Sequence, residues 1–164
     1  MPGGDPPTRQ IDPPILERLG EFVVVWSLLE SMVADLFVAT IKSDIGNLMV
    51  VTQGVSANTI SGWIRTSIEF RYTPPDEARQ IREILDEYDK LRAERNALIH
   101  GLWGTDKSGP GTALVQTVRL GRRTPIVDRL ITVSDLDDLI DVTLGLYAKL
   151  LAFMRAHGLP YRGG

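Results

Sequence analysis

The chain of 164 residues has no cysteine and only two histidines. Without thiols it can form no disulfide scaffold, zinc knuckle or thiol nucleophile, and a metal site built on two histidines would need mostly carboxylate ligands. We therefore expect neither a metal nor another cofactor. The chain also has no large excess of positive or negative charge. The formal net charge is −3 and the isoelectric point is about 5.4, which argues against a broadly basic nucleic-acid-binding surface but allows a local basic patch.

Long uninterrupted apolar runs are absent as well. The longest apolar stretch, Phe22 to Thr40, contains Glu30 and Asp35, and we expect it to be too polar for a membrane span of about 20 apolar residues. The amino terminus lacks the basic-then-apolar layout of a signal peptide. These features predict a cytoplasmic protein without a transmembrane helix. The length and the hydrophobic content of 43% fit a single globular domain, which we place at residues 15–164.

Proline and glycine concentrate in residues 1–14, which cannot bury enough apolar area to offset chain entropy and are expected to form a disordered tail. Pro13 and Pro14 at its end suit the entrance of a helix, because the missing N–H of proline costs nothing in the first turn. Apolar residues then recur with helical periodicity. This pattern predicts helices over about 15–40, 47–53, 56–72, 76–100 and 134–157.

Capping residues and glycines mark the ends of these helices. Ser56 is placed to cap the third helix, and Ser134 with Asp137 resembles a capping box at the start of the last one. Gly101 ends the fourth helix. Two segments after it favour β structure, Ala113–Leu120 and Ile126–Val133. The two segments indicate a hairpin or a small sheet, and the predicted fold is an all-α bundle with a β-hairpin insertion at about 102–133.

The fourth helix carries an apolar seam that an arginine interrupts near its end. The seam consists of Ile81, Ile84, Tyr88, Leu91, Arg95 and Leu98. Asn96 and His100 lie four residues apart and share one helix face, whereas Arg95 and His100 lie about 140° apart around the helix axis. A site that uses both residues must therefore be completed by another helix or by a second subunit.

The segment Arg95–His100 resembles the motif of the HEPN superfamily, in which a histidine follows an arginine after four to six residues. Asn96 directly after the arginine and Gly101 at the helix end strengthen the resemblance. In the first helix, Trp26 with Glu30 resembles the Trp-x-x-Leu/Glu pattern that is common in helix one of abortive-infection-type HEPN proteins. The resemblance covers about residues 15–157 and extends to the β insertion, which some relatives also have.

This resemblance implies a helical bundle that dimerises so that two motifs line one groove. It further implies a metal-independent endoribonuclease of toxin or defence type, with an antitoxin or defence-system protein as a further partner. One position departs from the pattern. In the toxins silenced by a nucleotidyltransferase a tyrosine often lies two residues after the histidine, and here that residue is Leu102, which puts that form of control in doubt.

The residue types suit cleavage of RNA through its 2′-hydroxyl. Histidine side chains act as acid or base near neutral pH, and the planar arginine fork matches phosphate oxygens. We assign proton transfer to His100, phosphate stabilisation to Arg95, and orientation of His100 or of a phosphate to Asn96. Glu30 has two interpretations: a buried partner of Arg95, or an ordinary residue at the edge of the helix stripe.

Arginines also cluster on or beside the predicted hairpin, at positions 119, 122, 123 and 129. Arg119, Arg122 and Arg123 are candidates for gripping RNA phosphates, and a solvated strand face is the alternative. Two other functions stay open for the whole chain. The first is a catalytically inactive dimeric interaction module with the same fold. The second is a small-ligand sensor, which an apolar pocket away from the dimer groove would indicate.

Overall fold

The computed structural model describes residues 11–42, 52, 54–71, 73–105, 110–117 and 127–161. This part of the chain contains four helices, α1 (Pro13–Ile41), α2 (Ala57–Phe70), α3 (Pro75–Ile99) and α4 (Val133–Ala156). It also contains three strands, β1 (Leu102–Thr105), β2 (Thr112–Thr117) and β3 (Val127–Thr132). The strands form one antiparallel sheet in the order β1-β2-β3. A mostly helical chain with a small β segment between α3 and α4 confirms the coarse prediction.

These elements are distributed over two compact units. Unit 1 comprises Met1–Val23 and Ala93–Ile140, and unit 2 comprises Val24–Arg92 and Asp141–Gly164. The boundary falls inside α1, α3 and α4, so each of these helices contributes one segment to each unit. Unit 1 contains the whole sheet, and unit 2 contains the whole of α2.

The start of α1 explains the two prolines and corrects the predicted tail. The helix begins at Pro13, and the carbonyl of Asp12 accepts hydrogen bonds from the N–H groups of Ile15 (3.0 Å) and Leu16 (3.2 Å). The Asp12 carboxylate also accepts the backbone N–H of Gly111 before β2. Residues 11–14 therefore belong to the folded part of unit 1, because they cap a helix and contact the sheet region. Residues 1–10 of the predicted tail lie outside the described residues.

The cap of α2 confirms one sequence prediction, and the cap of α4 shows that another was wrong. The Ser56 hydroxyl accepts the N–H of Thr59 at 3.2 Å, as predicted. At α4 the capping box uses Thr132 and Asp135 in place of Ser134 and Asp137. The Thr132 N–H donates to the Asp135 carboxylate (2.8 Å), and the Asp135 N–H donates back to the Thr132 hydroxyl (3.1 Å). The box starts two residues early because β3 runs directly into the helix.

The sheet has one buried face, and it has one more strand than the predicted hairpin. Ala113 and Val115 on β2 are buried, and Ile131, the register partner of Ala113 on β3, is buried as well. This alternation is typical of an antiparallel sheet packed on one side. Strand β1 was missed because Leu102–Thr105 is only four residues long and contains a glycine. Val133, predicted to end a strand, begins α4.

In unit 2, aromatic contacts connect α1 to α2 and α3. Trp26 stacks on Tyr88 with ring centroids 5.4 Å apart, and Phe37 packs against Trp63 at the same centroid separation. Apolar residues spaced three or four positions apart along α1 are buried, whereas Leu19, which precedes them at the same spacing, is half-buried; the buried ones are Phe22, Trp26, Leu29, Val33 and Leu36. By length and composition α1 could cross a membrane despite Glu30 and Asp35, and 67% of its most apolar window is buried within the structure. Such burial is typical of a core helix.

A polar network joins α2 to α3 in the same unit. The Asp89 carboxylate accepts hydrogen bonds from Ser61 (3.3 Å), Arg65 (3.1 Å) and Arg92 (3.4 Å). Arg65 also pairs with Asp86 at 2.8 Å. Because one carboxylate serves three donors on two helices, these charges stabilise the packing of α2 on α3. The short helix predicted over 47–53 lies outside the described residues except for position 52.

Candidate functional site

The predicted motif lies at the carboxyl-terminal end of α3, within unit 1. Arg95 and Asn96 are half-buried in the last turns of the helix, and His100 is exposed directly after its final residue, Ile99. The backbone N–H of His100 donates to the carbonyl of Asn96 at 3.1 Å. The helical hydrogen-bond pattern therefore extends to His100, and its backbone is held by the helix rather than by a loop.

The structure brings Arg95 and Asn96 together. A terminal nitrogen of the Arg95 guanidinium (Nη1) donates to the side-chain oxygen of Asn96 (Oδ1) at 3.0 Å. This contact adds to the sequence-based expectation, which gave Asn96 the task of orienting His100 or a phosphate. Since the oxygen of the amide is used, its NH₂ group keeps two donors for an anion. The guanidinium has five N–H donors, and its hydrogen bond to Asn96 uses one of them.

Gly101 lets the end of α3 approach the sheet closely. A Cβ atom at this position would lie 2.4 Å from Cγ1 of Val115 on β2 and 2.6 Å from the carbonyl oxygen of Ala97. The helix ends at Ile99, two residues before Gly101, as the glycine predicted, and the φ of Gly101 is not positive. The glycine is required here because there is no room for a side chain between the helix and β2.

Strands β1 and β3 also hold this end of α3. The indole N–H of Trp103 on β1 donates to the carbonyl of Leu98 at 2.7 Å. Arg129 on β3 forms an ion pair with Glu94, the residue immediately before Arg95. Sequence reasoning gave Trp103 and Glu94 no role, because only the fold brings the strands to the helix. Arg129, which the sequence grouped with the other basic residues near the hairpin, is thus engaged with the motif helix.

The remaining predicted site residues fall elsewhere. Glu30 is half-buried on the segment of α1 that belongs to unit 2, whereas Arg95 belongs to unit 1. Its pairing with Arg95 stays a prediction. Arg119, Arg122 and Arg123 lie outside the described residues, so their contact with RNA stays a prediction as well.

The second histidine of the chain, His157, packs against a residue of its own helix end. A ring nitrogen (Nδ1) of His157 lies 2.8 Å from the carbonyl oxygen of Phe153, and the two rings pack with centroids 4.3 Å apart. His157 directly follows the last residue of α4, Ala156, where a histidine suits the negative end of the helix dipole. His157 is therefore a natural control for experiments on His100.

The groups that the described residues offer at the end of α3 are a guanidinium, a carboxamide and an imidazole. In that part of the chain, no three His, Cys, Asp or Glu side chains are grouped so that they could hold a metal ion. No protein-family model, curated protein or solved structure matches the chain.

Proposed function

We propose that the protein is a metal-independent endoribonuclease of toxin or defence type, with a HEPN-like helical bundle and a cytoplasmic location. Arg95, Asn96 and His100 form its catalytic set. The observation that carries the proposal is the hydrogen bond from Arg95 to Asn96 one turn before an exposed His100. A basic fork, an amide and an imidazole are thereby held at one helix end, which is the combination that phosphodiester cleavage needs.

The reaction uses the 2′-hydroxyl of RNA as the nucleophile. Its proton is removed, its oxygen forms a new bond to phosphorus, and the bond to the 5′-oxygen breaks as that oxygen is protonated. The products are a 2′,3′-cyclic phosphate and a 5′-hydroxyl. His100 transfers protons, Arg95 stabilises the charge that develops on the phosphoryl oxygens, and the NH₂ group of Asn96 donates to the same phosphate.

Geometry along α3 favours a site shared by two copies. At a spacing of five positions in helical geometry, Arg95 and His100 lie about 140° apart around the axis and about 7.5 Å apart along it. A single helix thus presents the two side chains to different surroundings. In a two-fold dimer, Arg95 of one protomer faces His100 of the partner subunit across a common groove. Glu30 supports Arg95, and Arg119, Arg122 and Arg123 bind flanking phosphates in this proposal.

A ligand-binding module without nuclease activity is the second candidate. It is favoured by a cavity in unit 2 that the proposed nuclease chemistry does not use. The two candidates differ in a direct measurement, because only the nuclease turns over RNA.

The first experiment tests cleavage and its histidine. The purified chain is incubated with a mixed-sequence RNA in EDTA, and products are analysed for 2′,3′-cyclic phosphate ends. We expect cleavage that His100→Ala lowers by roughly 10² or more, the usual scale for a general acid or base. His157→Ala is the matched control and should cleave like the wild type. Intact RNA with the folded wild-type chain would contradict the proposal.

The second experiment tests the shared site. Arg95→Ala and His100→Ala are each inactive, but a mixture that exchanges subunits forms heterodimers with one complete site. About a quarter of wild-type activity should return if Arg95 and His100 act from different protomers. A mixture as inactive as its components would contradict a site shared between protomers. The first experiment would still decide whether the chain cleaves RNA.

A further inference from the structure

Unit 2 contains a cavity of about 400 Å³. It lies among the end of α1, the connection between α2 and α3, the first turns of α3 and the segment after α4. Ala39, Ile81 and Leu159 form its apolar wall, and the first two of these side chains are buried. The volume falls within the range of pockets that hold small molecules and is far too small for a folded protein.

Two cationic side chains line the same cavity. Lys42 and Arg71 are exposed, and neither forms an ion pair with any residue that the structure describes. By contrast, Arg65 and Arg92, in the same unit, are paired with Asp89. Among the described residues, the cavity wall carries one carboxylate, that of Glu77, against the two cations. These three side chains together have a net positive charge, although the formal charge of the whole chain is −3.

The backbone of Lys42 is strained at this position. Its φ is 52°, which makes it the one described residue other than glycine with a positive φ. Its N–H donates to the carbonyl of Ala39 at 3.2 Å, which closes the end of α1. Glycine adopts this left-handed conformation without steric cost, and lysine does not. Lys42 thus occupies a backbone position that favours glycine, and its side chain lines the cavity.

We propose that this cavity binds a small organic anion, a molecule with one carboxylate or phosphate group on an apolar body. The anionic group binds at Lys42 and Arg71, whose charges no described carboxylate neutralises through an ion pair. The apolar body packs against Ala39, Ile81 and Leu159. This function is separate from RNA cleavage, since the cavity belongs to unit 2 and the Arg95–His100 motif belongs to unit 1.

The test uses four probes on the wild-type chain. Hexanoate and phenyl phosphate each combine an oxyanion with an apolar body, whereas inorganic phosphate and hexanol each supply only one of these parts. We expect hexanoate or phenyl phosphate to raise the melting temperature saturably, because a ligand that binds only the folded state stabilises it. The stronger of the two identifies the anionic group. Equal effects of hexanol and hexanoate, or no saturable effect of either anion, would overturn the proposal.

Variants then locate the site by calorimetric titration with the stronger probe. Lys42→Gly removes the charge and relieves the backbone, so its fold is expected to be retained. This change and Arg71→Gln should each weaken binding by roughly tenfold or more, the scale of a lost charge-assisted hydrogen bond. Lys90→Gln is the matched control, an exposed lysine of α3 outside the cavity wall, and should bind like the wild type. Wild-type affinity in both cavity variants would refute the assignment. RNA cleavage plays no part in the readout, so this proposal fails or stands independently of the nuclease.

Discussion

The two units use the polar residues of the same helix in opposite ways. In unit 2, Asp89 on α3 accepts hydrogen bonds from three donors, and the arginines around it have carboxylate partners on α3. In unit 1, the half-buried Arg95 donates to its neighbour Asn96 and has no ion pair with any described residue of that unit. The exposed His100 has no side-chain hydrogen bond in that part of the chain either. The charges that stabilise packing and the residues of the proposed nuclease site thus lie in different parts of a single helix.

Unit 2 and the motif of unit 1 are also stabilised by different kinds of contact. Unit 2 is held by aromatic packing and by the ion-pair network between helices. The motif of unit 1 is held by a sheet that touches the end of α3 through the close approach at Gly101, the indole of Trp103 and the ion pair of Arg129. The catalytic role proposed for the motif requires such support, since small displacements of a catalytic group cost much of the rate.

Arg95→Lys should have the largest effect and would break the comparison most directly. The change keeps the charge and loses the planar fork, so we expect cleavage to fall by roughly 10² or more while the melting temperature changes little. Arg92→Lys is the matched control in unit 2, where the arginine binds Asp89 and Asn58. It should lower the melting temperature and leave cleavage intact. If Arg95→Lys behaved like this control, Arg95 would be a structural residue.

Gly101→Ala tests the support of the motif. The added methyl group would collide with Val115 and with the carbonyl of Ala97, and overpacking of this kind costs about 1–3 kcal/mol. Urea unfolding measures the loss, and cleavage should fall along with it because the end of α3 must shift. Gly104→Ala on β1 is the control, as no atom lies within 4 Å of its Cβ position. Equal stability of the two variants would show that the close approach is not required.

Asp89→Ala tests the polar network of unit 2. Removing the shared acceptor leaves Ser61, Arg65 and Arg92 without it, and we expect the free energy of unfolding to fall by about 1–2 kcal/mol. Asp86→Ala removes a more exposed partner of Arg65, so its effect should stay below about 1 kcal/mol. RNA cleavage at a temperature where both variants are folded should be unchanged. A loss of cleavage with Asp89→Ala would contradict the separation of the packing charges from the proposed nuclease site.

The pH dependence of stability offers the smallest effect. The hydroxyl and the backbone N–H of Thr132 donate to the Asp135 carboxylate and hold the pKa of that carboxyl below its ordinary value of 3.8. Because the folded pKa is the lower one, the stability that Asp135 contributes is present above pH 3.8 and is lost as the pH falls through the folded pKa.

Urea unfolding between about pH 6 and about pH 3 checks this expectation. Asp135→Asn removes the titrating group and should flatten the acid limb of the stability curve. The control Asp138→Asn, at an exposed position of α4, should follow the wild type. An acid limb that Asp135→Asn leaves unchanged would show that the capping box does not contribute to stability in this way.

Local patterns determined much of the secondary structure. Helical periodicity predicted α1, α2, α3 and α4 to within a few residues, because a helix buries every third or fourth residue wherever it packs. The prolines before α1 and the hydroxyl of Ser56 marked helix starts, since both act within a single turn. The same local logic found β2 and β3, and it singled out Arg95, Asn96 and His100.

What only the tertiary structure decided concerns contacts between distant residues. The cap at Thr132 depends on where β3 ends, and the need for glycine at position 101 depends on the approach of β2. The ion pair of Arg129 with Glu94 joins residues 35 positions apart. The described residues that line the cavity with Lys42 and Arg71 come from three separate segments of the chain. Sequence periodicity reports which face of an element is buried, but it does not report which other element covers that face. Residue types alone therefore determined the helices and the motif, and the folded chain decided what supports the motif and which described residues line the cavity.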